Sequence, residues 1–295
     1  MKTIRVGSRE SALAVIQAEL VIRAIRRFRP DADVELVTMK TTGDRILDRT
    51  LDKVGGKGLF VKELDDALLS GRVDICVHSY KDMPVPDNPD LPVVAVSGRE
   101  DPRDVLLLPE GRDAPDMTRP LGSASQRRRV QLETLYPAWR IEPIRGNIQT
   151  RLRKMDEGQY GGIVLAAAGI RRLGLWRRVA RAFETEEILP SACQGILAVQ
   201  GRAGEEHPYL ALVDNALSRD AAAAERAFIQ ALDGGCSAPM AAHAVVLDDE
   251  ILLTGMHVTG GGAVVREMLS GPRGDPGELG ARLAGILKEK GVKRV

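Results

Sequence analysis

The sequence predicts an α/β fold: two lobes built on mixed sheets with a cleft between them, followed by a small C-terminal α+β domain. Three observations predict it. A strand, a helix and a strand succeed one another between Thr3 and Met39; helical and strand periods alternate again between Ser125 and Ala167; and the last third runs through three consecutive strand-like stretches.

Thr3 to Val6 reads as a short strand. From Ser11 the apolar positions Leu13, Ile16, Leu20, Ala24 and Phe28 recur at helical spacing until Pro30, which has no N–H with which to continue a helix. Val34 to Met39 alternates as a strand, and the resulting βαβ unit favours parallel pairing beneath a helix. Lys40 to Gly58 is polar, contains glycine and is too long for an ordinary connection, as lids and binding loops are. Phe60 to Ser70 reads as a helix stopped at Gly71, and Asp74 to Ser79 as a buried strand running straight into Lys81-Asp82-Met83-Pro84. Gly98 to Pro102 has the character of a crossover. Beyond it lie helices at Ser125 to Leu135 and Ile148 to Glu157, and strands at Arg140 to Ile144 and Gly162 to Ala167. The apolar run Ile196 to Gln200 then returns the chain to the first sheet. An alanine-rich helix, Ser218 to Leu232, ends at Asp233-Gly234-Gly235. Strands at Ala241 to Leu247, Ile251 to Val258 and Ala263 to Leu269 precede a last helix that Asp275-Pro276 opens and Gly291 closes. Domains are therefore expected at 1–98 with 196–214, at 102–193 and at 215–295.

Composition excludes several function classes. The chain has 295 residues, 42 lysines and arginines against 41 aspartates and glutamates, and a net charge of +1, so no global field draws nucleic acid or an acidic membrane. Aromatic residues at 3% are too few for base-stacking platforms. No apolar run approaches the roughly 18 residues of a membrane helix, and the first residues lack the apolar core of a signal peptide, so a cytoplasmic protein is expected. Cys76, Cys193 and Cys236 are an odd, dispersed set, and His78, His207, His243 and His257 are scattered, so neither a disulfide framework nor a metal site is expected.

Charge is nonetheless uneven. Between Arg119 and Arg153 stand eight arginines and only two acids, Glu133 and Glu142. Arg127, Arg128 and Arg129 fall in the first turn of a predicted helix, where the dipole disfavours cations. An anion there would resolve the conflict, with Ser123, Ser125 and the turn's amides as donors. A solvated basic face fits the same run. Gly55-Gly56-Lys57-Gly58 lacks the spacing of a phosphate loop and reads as a flexible basic loop. Cys236 follows two glycines that permit close approach by another group; a nucleophile, an attachment point and an inert packing thiol are all open readings. Cys76 and His78, on an apolar strand, read as core. Asp82 lies just past a strand's carboxyl end, where open α/β sheets bind ligands, although a solvated turn aspartate is equally consistent.

Taken together, these motifs resemble the porphobilinogen deaminase (hydroxymethylbilane synthase) family over essentially the whole chain. The matching stretches are Gly7-Ser8-Arg9, Thr42-Gly43-Asp44, Lys53 to Glu63, His78 to Pro84, Arg99 to Asp104, Arg145-Gly146-Asn147, Gln194-Gly195 and Gly234-Gly235-Cys236, in the family's order. The resemblance implies a monomeric transferase of tetrapyrrole and haem biosynthesis that joins four porphobilinogen molecules head to tail on a covalent dipyrromethane cofactor. It implies that Cys236 carries that cofactor through a thioether and that Asp82 is the catalytic carboxylate. It further implies contacts from Arg9, Ser79, Lys81, Ser123, Ser125, Arg127, Arg128, Arg145, Arg151, Arg172 and Gln194, with Lys57 and Phe60 in a loop near the cleft, and no metal. Porphobilinogen carries an acetate and a propionate, so an arginine excess suits a growing polycarboxylate. Two departures stand out: Cys193 occupies a position where the family usually has glycine, which predicts an altered backbone and a second thiol near the cleft, and Ala124 replaces a usual serine. The two-lobed architecture is also similar to periplasmic-type and regulator effector domains, so a small-anion binding protein is an alternative, tested by intact mass. An arginine-rich nucleic-acid binder is another, tested by steep salt dependence.

Overall fold

The computed structural model describes residues 3–45, 61–232 and 239–292. By contact the chain divides into two units, residues 1–100 with 195–220, and residues 101–194 with 221–295.

In the first unit, β1 (Ile4–Arg9), α1 (Ala12–Phe28) and β2 (Val34–Met39) form the expected βαβ element, the strands parallel from Ile4 opposite Val34 to Arg9 opposite Met39. The Ser11 side chain accepts the Ala14 N–H at the start of α1, and Arg26 and Arg27 complement the dipole at its end. Its buried face, Ala14, Gln17, Ala18, Val21, Ile22 and Ile25, has the spacing of an amphipathic helix lying on a sheet. A one-turn helix α2 (Thr42–Arg45) follows, and α3 (Lys62–Leu69) ends as expected before Gly71, whose φ is 68°. Lys57 and Phe60 lie outside the described residues. β3 (Ile75–Ser79) runs parallel to β1, with Gly7 opposite Cys76. A Cβ on Gly7 would stand 2.6 Å from the Cys76 sulfur, so the strands can approach only because position 7 has no side chain. β3 ends in a 3-10 turn, Tyr80–Asp82, and β4 (Val93–Val96) closes the segment.

The second unit begins with β5 (Asp104–Leu107), then β6 (Leu121–Gly122), α4 (Gln126–Leu135), β7 (Ile141–Glu142), α5 (Ile148–Asp156), β8 (Gly162–Ala166), α6 (Ala167–Arg172) and β9 (Val179–Ala182). The sheet order is β7-β6-β8-β5-β9, with β6 parallel to β7 and β8, and β5 antiparallel to β8 and β9. The chain then returns to the first sheet through β10 (Leu197–Gln200), antiparallel to β3 and β4, which gives the order β2-β1-β3-β10-β4. Both five-stranded sheets are mixed.

The last segment is α7 (Ala216–Ala231), the antiparallel sheet β11 (Ala241–Leu247), β12 (Glu250–Val258) and β13 (Val264–Pro272), and α8 (Pro276–Val292). Phe228 of α7, Leu253 of β12 and Leu283 and Leu287 of α8 form its core. A Cβ on Gly255 would stand 2.5 Å from the Phe228 ring, so the glycine lets that ring lie against β12.

β4, β5, β6 and β9 were not among the expected strands. β5 is buried at every position and shows no alternation, and β6 has only two residues, so neither carries a period-two signal. Among the described residues no helix is long and apolar enough to cross a membrane.

Candidate active site

Two clusters of the expected residues gather at strand ends, one in each unit. In the first unit the parallel pairing of β1 and β3 brings their carboxyl ends together, and with them Arg9, Ser79 and the 3-10 turn that carries Lys81 and Asp82. Arg9, Gln17, Val61, His78, Ser79 and Asp82 line a cavity of about 20 Å³, room for a single water. Asp82 is exposed. Ser79 is held from beneath: its hydroxyl lies 2.9 Å from Gln17 Nε2 and 3.2 Å from Gln17 Oε1, so α1 fixes the last residue of β3. His78 is buried, as expected of a core histidine, and burial above all pushes its pKa down from 6.5 to about 4, with the Arg9 charge acting in the same direction.

In the second unit the carboxyl ends of β6, β7 and β8 share one edge of the sheet, because these strands run parallel. β6 leads into Ser123, whose buried hydroxyl has no hydrogen-bond partner among the described residues, and then into Ser125, which caps α4 by accepting the Arg128 N–H. β7 leads to Arg145 and to Asn147, the cap of α5, on which Arg151 bonds the Gly146 carbonyl at 2.8 Å. Arg172 ends α6, the helix that follows β8. Cys236 and the two glycines before it lie outside the described residues.

The arginine run at the start of α4 has an answer that sequence reasoning missed. Asp104, the first residue of β5, is fully buried; Arg127 Nη2 donates to its Oδ2 at 2.8 Å and Arg128 Nη2 to its Oδ1 at 2.8 Å. Burial would raise the Asp104 pKa, but the two guanidinium groups outweigh it and hold the carboxyl well below the usual range. The anion expected at this helix start is therefore supplied within the chain. It does not use up the charge: two cations face one anion, and Arg128 Nε is buried without a partner among the described residues. Gln194 is also fully buried, donating to the Pro102 carbonyl at 2.6 Å and to Asp104 at 2.9 Å. Of the remaining arginines in the run, Arg129 pairs with Glu133, Arg140 with Glu142 and Arg153 with Glu157, all at the surface. In the sequence Asp104 closes the motif Arg99 to Asp104 and heads the apolar run Val105-Leu106-Leu107-Leu108, and neither signal names the arginines as its partners.

Cys193 departs from the expectation attached to it. Its φ of 60° is the left-handed conformation natural to glycine, so the backbone keeps the glycine geometry, and its side chain is buried. Ala124 is exposed at the turn between Ser123 and Ser125. Among the described residues no cluster suited to a metal ion occurs.

Comparison with known proteins shows the family. Residues 4–209 match the family model described as "Porphobilinogen deaminase, dipyromethane cofactor binding domain", and residues 220–289 match the "Porphobilinogen deaminase, C-terminal domain". A porphobilinogen deaminase of Ruminiclostridium cellulolyticum is 56% identical, with both chains covered in full. That of Acetivibrio thermocellus is 55% identical over 95% of this chain and 96% of its own, and that of Burkholderia thailandensis 43% identical over 99% and 92%. The chain belongs to the porphobilinogen deaminase family, transferases that work with a dipyrromethane cofactor.

Proposed function

We propose that the chain condenses four porphobilinogen molecules head to tail, releasing ammonia at each addition, that water then cleaves the finished tetrapyrrole from its primer as hydroxymethylbilane, and that Asp82 is the carboxylate at the reacting ring. The observation that carries this reading is the exposed Asp82 carboxylate at the end of β3, beside Arg9 and Ser79 and within the family's matched segment. The aminomethyl group of porphobilinogen is already an ammonium at neutral pH, so ammonia departs without a strong acid and positive charge spreads onto the pyrrole nitrogen. A carboxylate fixed at that N–H stabilises the charge as it develops. The same group then takes the proton from the ring α-carbon when aromaticity returns.

Dipyrromethane, built from two substrate units, supplies when bound the pyrrole carbon to which the first unit is joined. The residues present fit it. Ser123 Oγ and Arg128 Nε are buried donors without partners among the described residues, and the positive charge left over beside Asp104 calls for a carboxylate. Ser123, Arg128, Arg145, Arg151 and Arg172 would hold carboxylates of cofactor and substrate, and Cys236 would carry the thioether. Anchoring one end makes each later addition effectively intramolecular.

The test is porphobilinogen consumption together with intact mass. The purified protein should carry the mass of a two-pyrrole adduct that Cys236→Ser lacks. Asp82→Asn should keep the fold and lose about 10²- to 10⁴-fold in turnover; a wild-type rate would remove Asp82 from the reaction. The same reading takes the enzyme as a cytoplasmic monomer that binds neither nucleic acid nor membrane, checked by light scattering that returns the mass of one chain.

A further inference from the structure

We propose that Asp104 is a positioning residue for this reaction, setting the guanidinium groups of Arg127 and Arg128 for carboxylate capture; the proposal rests on reading those arginines as carboxylate binders. A buried carboxylate is costly unless all its lone pairs are engaged. Here one oxygen accepts from Arg127, and the other from Arg128 and from Gln194 at 2.9 Å. Each guanidinium is held at a second point as well, Arg127 Nη1 on the Leu189 carbonyl at 2.7 Å and Arg128 Nη1 on the Val164 carbonyl at 3.3 Å. Two-point fixation removes the rotamer freedom that a free arginine would lose on gripping a ligand. What remains unspent is the buried Nε of Arg128 and the trio's surplus positive charge.

The clamp is itself anchored. Gln194 follows Cys193, whose backbone N–H donates to Glu225 Oε2 at 2.6 Å, and Glu225 Oε1 accepts the Ala244 N–H at 2.7 Å. Glu225 lies on α7 and is fully buried. A continuous line of buried contacts thus runs from α7 through Glu225, Cys193 and Gln194 to Asp104 and the arginine pair. Cys236 stands five residues beyond the end of α7. The arginine pair is therefore tied to α7, and a binding group fixed in advance grips its ligand with less ordering cost.

Asp104→Asn keeps the shape and removes the charge. The expected result is a folded protein by circular dichroism whose KM for porphobilinogen rises by up to about 100-fold while kcat changes less. Cofactor-free Asp104→Asn incubated with porphobilinogen should also gain the two-pyrrole mass more slowly than cofactor-free wild type. A folded Asp104→Asn with wild-type KM and wild-type uptake overturns the proposal, because a purely structural residue would lower the melting temperature and leave both unchanged. Should Asp104→Asn fail to fold, Asp104→Glu moves the carboxylate by one methylene with its charge intact: a raised KM supports the proposal and an unchanged one overturns it. Wild-type protein that neither gains the adduct nor consumes porphobilinogen would instead overturn the underlying reading of function.

Discussion

His78 offers a measurement in which the structure sets both sign and size. Its ring lies in β3 opposite Ala198 of β10, buried, and its pKa falls from 6.5 to about 4. The folded protein therefore keeps the ring neutral while the unfolded chain takes up a proton first as pH falls. Stability is unaffected above pH 6.5, declines as pH drops through the interval, and levels off below about pH 4. The full gap corresponds to about 3 kcal/mol, of which about 2 kcal/mol has gone by pH 5. Asp65 on α3 acts in the opposite direction: burial, outweighing its hydrogen bond to Gln200, raises its pKa from 3.8 to about 6, so the folded state binds the extra proton and gains stability on acidification. That side chain is only partly buried, and solvent screening reduces its contribution to about 1 kcal/mol or less at pH 5. The perturbation is His78→Gln, which cannot titrate and retains a hydrogen-bonding group toward Gln200. Urea unfolding at pH 7 and pH 5 should show wild type losing about 2 kcal/mol more than His78→Gln across that interval. Parallel pH dependences in the two proteins would refute the assignment of a neutral buried ring.

Two further outcomes follow from packing. Gly255→Ala places a methyl group 2.5 Å from the Phe228 ring and should destabilise the protein by about 1–3 kcal/mol, read as a lower urea midpoint; an unchanged midpoint would mean the ring and β12 are not in contact. Cys76 and Cys193 are buried, and burial pushes the Cys76 thiol well up, so both should resist maleimide in the native protein and react fully in urea. Peptide mapping distinguishes them from Cys236, and rapid native labelling of either would contradict their burial.

The two clusters were legible to different depths. Asp82, Lys81 and Ser79 were placed at a strand's end from an apolar run that stops in a polar turn before a proline, a pattern contained in ten residues of chain. The arginine run was equally visible, but its meaning was not. A guanidinium on a solvated face and one clamped on a buried carboxylate leave the same trace in sequence. The partner that distinguishes them, Asp104, lies 23 positions from Arg127 and 24 from Arg128. Gln194 was expected at the ligand from its motif; its place beneath Asp104 depends on a pairing across 90 residues. Glu225 carried no signal at all, since its partners are a backbone N–H 32 residues earlier and another on β11.

The sequence by itself determined the longer helices and the more regular strands, the ends at which helices stop, the mixed α/β class with its α+β tail, and the family motifs. These follow from periodicity, caps and breakers, which act over a few neighbouring residues. Tertiary structure alone decided which charges meet. Short, fully buried strands such as β5 show no alternation to read, and the match between a lone buried carboxylate and two arginines is made only when the sheet brings distant segments within hydrogen-bonding distance.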